Sequence, residues 1–281
     1  QVDGYAAKAR KRMDSPCGVT HTNCIKLPNN LKEKKMFKKI SKKIGMLIIA
    51  SGFLLGAAPV ANAQFIPADI VYVVDYSGSM GADINQVIAN IGAFQTALSG
   101  AGIDAQYGAV QFGQSANGGN PQLLTDLTNA AGVSGALSAA LPVTGGFEPG
   151  ATASLFALNN ITWRAGAVKN IILITDEDDD SSLADKNAID GALGAANALY
   201  NVIINPNWGT SVADYGTLAN NHGGQVFDIN AFRADPSAFL ANFNRTKVQE
   251  IINQAPEPSI MALLGIGLAG IGFVSRRRAA V

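Results

Sequence analysis

The sequence predicts an α/β domain in which a mainly parallel sheet of six strands is doubly wound and covered by helices on both faces. Short apolar runs rich in β-branched residues alternate along residues 66–252 with longer segments of helical periodicity. This alternation is typical of parallel strands joined by crossover helices, and about 190 residues suit one such domain. A chain that is 48% hydrophobic and 15% charged is also neither wholly disordered nor collagen-like.

The predicted strands are the short apolar runs. DIVYVVD at 69–75 and NIILIT at 170–175 are almost uninterrupted, which is typical of strands buried on both faces. AQYGAVQF at 105–112 alternates instead, and three weaker runs complete the sheet. We therefore predict strands over 69–75, 105–112, 122–127, 170–175, 202–204 and 225–229.

The predicted helices are the segments between these runs. Apolar residues such as Ile84, Val87 and Ile91 recur every three or four positions, as on one face of a helix. Pro236 stands near the start of the last segment, where a helix tolerates it. We predict helices over 83–98, 133–141, 152–159, 184–200, 212–220 and 236–252.

The 21 basic and 21 acidic residues cancel, but they are segregated along the chain. Residues 1–63 carry a net charge of +9, residues 64–255 carry −11 and residues 256–281 carry +2. The acidic middle argues against a nucleic-acid partner, because phosphates would be repelled. The basic ends indicate membrane-targeting signals.

Residues 36–63 have the pattern of a secretory signal peptide. Lysines follow Met36, an apolar stretch of about 13 residues comes next, and Ala-Asn-Ala ends the segment at Ala63. We predict cleavage after Ala63 by signal peptidase. Residues 1–35 precede this signal and begin with Gln, so we expect them to be translated upstream sequence rather than protein. Both cysteines lie there, so we expect a cysteine-free mature domain over 64–255.

Oxygen-bearing side chains follow the two most apolar strands directly. The first strand runs into Asp75, Ser77 and Ser79, on alternate residues of a turn, and Asp176 follows NIILIT. In doubly wound sheets, ligands bind beyond the carboxyl ends of the strands, near the topological switch point. These hard oxygen donors suit Mg²⁺, Mn²⁺ or Ca²⁺. The sequence therefore predicts a divalent-metal site.

The Asp-x-Ser-x-Ser motif of Asp75, Ser77 and Ser79 resembles that of von Willebrand factor type A domains, and the resemblance covers nearly all of residues 66–252. It implies a Rossmann-like fold and a binding function rather than an enzyme. The family's metal-ion-dependent adhesion site also uses a Thr from a second loop and an Asp from a third, and Asp176 fits the third. The resemblance implies that a partner's carboxylate completes the shell of the ion.

The second-loop ligand has two candidates. Thr152 stands at the start of the predicted helix ASLFAL, where its hydroxyl could turn toward the ion. Glu148 competes with it, because some relatives use an acidic residue in this loop. We favour Thr152.

An acidic run departs from the family pattern after the third-loop aspartate. Glu177 stands where the family commonly has Gly, and Asp178, Asp179 and Asp180 follow it. The run is either a solvated acidic loop or a second metal site.

The C-terminal region, residues 256–281, has three parts. They are Pro256, Glu257 and Pro258, then an apolar run over 260–274, then Arg276, Arg277 and Arg278. This order resembles the PEP-CTERM sorting signal of Gram-negative bacteria that make exopolysaccharide. The resemblance implies transient membrane insertion through a short transmembrane helix, cleavage by an exosortase, and a place at the cell surface or in the extracellular matrix. A plain C-terminal anchor is the alternative.

These observations together predict an exported, metal-dependent adhesion or protein-interaction domain that binds an acidic group of a protein or exopolysaccharide. A Ser–His–Asp triad would need His222, the single histidine of residues 64–255, and no Gly-x-Ser-x-Gly elbow is present. One alternative is a metal-dependent hydrolase of envelope polymers, which requires an activated water and a nearby base. Another is a structural matrix protein in which the metal only stabilises the fold.

Overall fold

The computed structural model describes residues 65–140 and 144–255, and within these ranges it confirms the α/β class with a six-stranded sheet. The strands are β1 (Ile66–Asp75), β2 (Ile103–Phe112), β3 (Gln122–Thr128), β4 (Val168–Ile174), β5 (Ala198–Ile204) and β6 (Val226–Asp228). Their order is β3-β2-β1-β4-β5-β6. Each neighbouring pair is parallel except β2 and β3, which are antiparallel.

Helices connect the strands and cover the sheet. They are α1 (Gly81–Gly100), α2 (Ala130–Ser138), α3 (Gly150–Asn160), α4 (Leu183–Ala196), α5 (Gly209–Ser211), α6 (Thr217–Asn221), α7 (Ile229–Ala234) and α8 (Pro236–Gln254). A 3₁₀ turn, Ser115–Asn117, follows β2, and a π-helical turn, Val212–Gly216, joins α5 to α6. The side chains of Asn129, Ser182 and Asp235 cap α2, α4 and α8 by accepting a backbone N–H.

The strand β1 shows how the sheet is buried on both faces. Ile70 and Tyr72 belong to the core beneath α1 and α8, whereas Val71 and Val73 belong to the core beneath α3 and α4. Successive side chains of a strand point to opposite faces, so one run supplies both cores. The faces of the sheet are consequently filled, and polar chemistry is left to the loops at its edges.

The predicted helix over 184–200 is wrong over its last residues. The helix α4 ends at Ala196, because Asn197 adopts a left-handed conformation with φ of 49°. Residues 198–204 are then fully buried and pair in parallel with β4, which makes them a strand. The predicted helix over 212–220 is likewise replaced by α6 and the π-helical turn before it, and Ile229 begins α7 rather than ending a strand.

The chain reverses direction across the sheet between β1 and β4. Its path leads from β1 outward to β2 and β3, then returns to β4 on the other side of β1. We call the edge where β1, β4 and β5 end the carboxyl edge, and the opposite edge, where they begin, the amino edge. The switch point places the ends of β1 and β4 next to each other at the carboxyl edge.

None of the helices described within residues 65–140 and 144–255 is both long and apolar enough to span a bilayer. The signal peptide at 36–63 and the apolar run at 260–274 lie outside the described residues, as do the arginines that follow that run.

Candidate metal centre

The first loop of the site is organised by Asp75, the last residue of β1. Its side chain is fully buried, and its Oδ1 accepts the backbone N–H of Ser77 at 2.7 Å. Its Oδ2 accepts the hydroxyl of Thr175 at 2.8 Å. Asp75 therefore fixes the turn that carries both serines and joins it to the end of β4.

Asp176 brings the third loop to the same point. Its Oδ1 accepts the hydroxyl of Ser79 at 2.7 Å, and the hydroxyl oxygens of Ser77 and Ser79 lie 3.3 Å apart. Ser79 and the strand-end Asp176, 97 positions apart in the sequence, thus meet at the carboxyl edge.

The second loop, just before α3, contributes Glu148. Its side chain is only 5% exposed and lies close enough to Ser77, Asp75 and Asp176 for each of them to affect its pKa. Its backbone is paired with the third loop, because Asp180 Oδ2 accepts the Glu148 N–H at 2.9 Å and the Glu148 carbonyl accepts the Asp180 N–H at 3.2 Å. The carboxylate is therefore held against the first loop by the third.

Thr152, the residue favoured from the sequence, does not join this group. Its hydroxyl donates to Asp185 Oδ2 on α4 at 2.6 Å, and its N–H donates to Ser181 Oγ at 2.9 Å. The structure therefore turns Thr152 toward the helix layer, whereas Glu148 lies near Ser77. We define the candidate metal centre accordingly as Asp75, Ser77, Ser79, Glu148 and Asp176.

The acidic run has several structural roles. Asp179 is buried, and its Oδ1 accepts the N–H groups of Ala151 and Ser181 at 3.2 and 3.0 Å. Asp180 is exposed but pairs with the backbone of Glu148 as described above. Glu177 and Asp178 are partly exposed beside them. Two of the four acids thus bind the second loop to the third.

Two glycines allow the loops to approach so closely. Gly113 has a φ of +82°, and a Cβ there would collide with Asp75 Oδ1. Gly145 has a φ of +123°, and a Cβ there would collide with the carbonyl oxygen of Gly113. Both positions require glycine for conformation and for space.

The carboxylates of the candidate metal centre are only partly balanced by nearby positive charge. Burial raises the pKa of Asp75 to about 6, against the lowering effect of its bonds from Ser77 and Thr175. Burial raises the pKa of Glu148 to about 8, and the charges of Asp75 and Glu177 add to the rise. Burial and the neighbouring Asp176 also raise the pKa of Glu177. Each shift has the sign expected for acids crowded together away from water.

Arg233, on α7, is a residue of this region that the sequence reading missed. Its Nη2 donates to Asp176 Oδ2 at 2.8 Å and to Asp83 Oδ2 at 2.6 Å. Asp83 is buried in the first turn of α1. A carboxylate on the buried face of an amphipathic helix needs a cationic partner, and that was the available signal.

The donor set suits a hard divalent cation. Hydroxyl and carboxylate oxygens are the ligands that Mg²⁺, Mn²⁺ and Ca²⁺ prefer. Among residues 65–140 and 144–255, no three His, Cys, Asp or Glu side chains form a metal cluster by themselves. Here the two serine hydroxyls complete the oxygen set. The buried carboxylates with raised pKa values are also those that a cation would stabilise.

Comparison with known families agrees with the fold. The family model of the von Willebrand factor type A domain matches residues 69–243, so the chain belongs to this family. Domains of this family are generally non-catalytic interaction modules, and they often bind a divalent metal. Residues 254–278 match the PEP-CTERM protein-sorting motif, which implies exosortase processing and export to the surface or outside of a Gram-negative cell.

Two solved structures show the same fold. Proximal thread matrix protein 1 from the mussel byssus matches 66% of this chain and 49% of its own, with a TM-score of 0.52 and 18% identity. A von Willebrand factor type A protein from Catenulispora acidiphila matches 66% of this chain and 43% of its own, with a TM-score of 0.50 and 18% identity. The chain spans about half or less of each of these proteins. No curated protein matches the sequence.

Proposed function

We propose that the domain binds its partner through a divalent cation, Mg²⁺ or else Mn²⁺ or Ca²⁺, held at the candidate metal centre. The observation that carries this proposal is the convergence of Asp75, Glu148 and Asp176 with two serine hydroxyls at the switch point of the sheet. Buried carboxylates that share so little positive charge need a cation to be ionised together.

The hydrogen bonds indicate different roles for the residues of the centre. Both oxygens of Asp75 and both oxygens of Asp176 already accept protein hydrogen bonds. These two aspartates orient the turn and the Ser79 hydroxyl, as outer residues of metal sites do. Ser77, Ser79 and Glu148 are then the residues that would hold the ion. When bound, the ion supplies positive charge that can accept a carboxylate from outside.

A cation at this centre would let an acidic partner bind despite the negative charge of the domain. The domain over residues 64–255 carries a net charge of −11, and much of it lies near this centre, so an acidic protein or polysaccharide would otherwise be repelled. A metal bridge gives one acidic group a favourable contact and makes adhesion dependent on the cation.

The sorting signals complete the proposal. Signal peptidase would cleave after Ala63, and an exosortase would act near Pro256, Glu257 and Pro258, leaving residues 64–255 as the working domain. The match of residues 254–278 to the sorting motif supports processing by an exosortase. The proposed place of action is the surface or extracellular matrix of a Gram-negative bacterium, with membrane insertion only before processing.

The test is a calorimetric titration of the chelator-treated full chain with Mg²⁺, Mn²⁺ and Ca²⁺. In Asp75→Asn, we expect affinity to fall about 10- to 100-fold, because the side chain that orders the serine turn changes. Asp190→Asn is the control, since Asp190 is an exposed acid on α4 whose carboxylate pairs with His222. Absence of metal binding by the natural chain would overturn the proposal.

Two further outcomes of the same preparation would favour the other functions. Polymer hydrolysis that disappears in Asp75→Asn would favour a metal-dependent hydrolase. A metal-induced rise in melting temperature, without metal-dependent binding of acidic proteins or polysaccharides, would favour a purely structural metal.

A further inference from the structure

Arg233 joins the candidate metal centre to a buried carboxylate outside it. Its Nε donates to both oxygens of Asp83, at 2.9 and 3.2 Å, and its Nη2 bridges Asp83 Oδ2 and Asp176 Oδ2. Asp83 is 1% exposed, whereas the Arg233 side chain is 35% exposed. One guanidinium group thus compensates two carboxylates, one structural and one belonging to the centre.

Asp83 fixes the position of this guanidinium. The paired contacts from Nε and Nη2 form the planar fork that arginine makes with a carboxylate. If Arg233 moved away, Asp83 would remain as a buried charge without a partner, which is strongly unfavourable. Arg233 is consequently a fixed part of the site and not a mobile surface cation.

The fixed arginine determines what Asp176 can do. Asp176 Oδ2 is directed toward Arg233, while Oδ1 accepts a hydrogen bond from the Ser79 hydroxyl. A serine whose O–H donates to Asp176 keeps its oxygen lone pairs for a cation. Asp176 thus acts through Ser79, with part of its own charge compensated by the guanidinium.

We propose that Arg233 is a positioning residue that keeps Asp176 from binding the ion directly, so that the bound cation retains enough positive charge to accept a carboxylate from the partner. This inference rests on the metal-dependent binding proposed above. It predicts effects of opposite sign when Arg233 is removed. Asp176 becomes available to the ion and tightens metal binding, but the ion, now neutralised further, accepts an outside carboxylate less well.

The experiment compares the natural full chain, Asp83→Asn, and the double variant Arg233→Met with Asp83→Asn. The double variant releases Asp176 without leaving Asp83 charged and unpaired. Asp83→Asn is its matched control, because Asn can still accept from Arg233 and the contact with Asp176 is kept. The probes are Mn²⁺ alone, followed by acetate as a small carboxylate, with calorimetry and water-proton relaxation as measurements.

In the double variant we expect Mn²⁺ to bind about tenfold more tightly, because one more carboxylate joins the ion. Relaxation should show fewer waters on the bound Mn²⁺, and acetate should displace them at a concentration at least about threefold higher. The control should lie much closer to the natural chain than to the double variant in all three respects. A merely structural role of Arg233 would instead weaken Mn²⁺ binding and leave the water count of the remaining bound ion unchanged.

Weaker or unchanged Mn²⁺ binding by the double variant, with normal binding by the natural chain, would overturn this inference alone. No Mn²⁺ binding by the natural chain would overturn the proposed function and this inference with it. If circular dichroism shows that the double variant is unfolded, Arg233→Lys replaces it. A lysine amine cannot reproduce the fork that reaches both aspartates, so it should change both affinities in the same directions.

Discussion

Two arginines at opposite edges of the same sheet each contact two aspartates, yet their surroundings differ. At the amino edge, Arg164 binds Asp69 and Asp104 and also donates to the carbonyl oxygens of Ala68 and Asp104. At the carboxyl edge, Arg233 binds Asp83 and Asp176, but further carboxylates surround them. At the amino edge, Arg164 balances the buried charge of Asp69. At the carboxyl edge, Arg233 does not balance all the carboxylates around it.

This difference distinguishes an interaction that supports the fold from the candidate metal centre. Asp69 is fully buried, and both its oxygens accept hydrogen bonds from Arg164: Oδ1 from Nε at 2.6 Å and Oδ2 from the backbone N–H at 2.7 Å. Glu148 is nearly as buried but has no cationic partner among the described residues, and its pKa is raised to about 8. Buried charge is tolerated when it is paired, so this unpaired acid supports the cation proposed for the carboxyl edge.

Replacing the arginine of the amino edge should have the largest effect on stability. In Arg164→Met, buried Asp69 loses its partner, and we expect the free energy of unfolding to fall by about 3–5 kcal/mol. Urea denaturation measures this change. Mn²⁺ affinity of the folded fraction should stay within about twofold, because the centre lies at the other edge. A large loss of metal affinity would show that the two edges are not separate.

Replacing Glu148 at the carboxyl edge should change metal binding and its dependence on pH. Between about pH 6 and 8, a cation must displace the proton of Glu148, so affinity should rise about tenfold per pH unit. In Glu148→Gln, affinity should be at least about tenfold lower at pH 8, and the slope should disappear. Mn²⁺ titrations at three pH values test this. A slope that persists in the variant would assign the proton to another group.

The same acid should affect the metal-free protein in the opposite direction. The pKa of Glu148 rises from 4.5 to about 8 on folding, so the folded chain holds a proton that the unfolded chain has lost. The free energy of unfolding without metal should therefore fall as the pH rises from 4.5 to about 8. Urea denaturation in chelator, with Glu148→Gln as the control lacking this contribution, provides the measurement.

Replacing the threonine next to the centre should have the smallest effect. In Thr152→Val, the hydrogen bond to Asp185 is lost, and we expect about 1 kcal/mol of destabilisation. Mn²⁺ affinity should change less than about twofold, since the hydroxyl points away from the serines. Ser79→Ala is the comparison, with an expected loss of about tenfold or more. Equal losses of Mn²⁺ affinity in Thr152→Val and Ser79→Ala would show that Thr152 contributes to the metal centre.

The sequence could reveal the strands and the aspartates at their ends, because these depend on local pattern. Asp75 and Asp176 directly follow apolar runs, and neighbouring parallel strands end at the same edge. The choice between Glu148 and Thr152 could not be made in this way. It depends on the direction of each side chain, which Asp180 and Asp185 determine from more than 30 positions away.

Two other features escaped the pattern for physical reasons. Arg233 and Asp83 are 150 positions apart, and no periodicity links them. Residues 198–200 continue an Ala-rich helical pattern, but pairing with β4 and burial on both faces outweigh their local preference. In both cases tertiary contact decides what the local sequence leaves open.

The helix α8 gives the molecule a polarity along its length. It follows α7 at the carboxyl edge and ends at the amino edge, where Gln254 donates to Asn197 just before β5. Its 19 residues cover about 28 Å, and the match to the sorting motif begins at Gln254. A tether at that end would present the candidate metal centre outward. A processing enzyme and a binding partner would therefore approach from opposite poles, and neither has to wait for the other to leave.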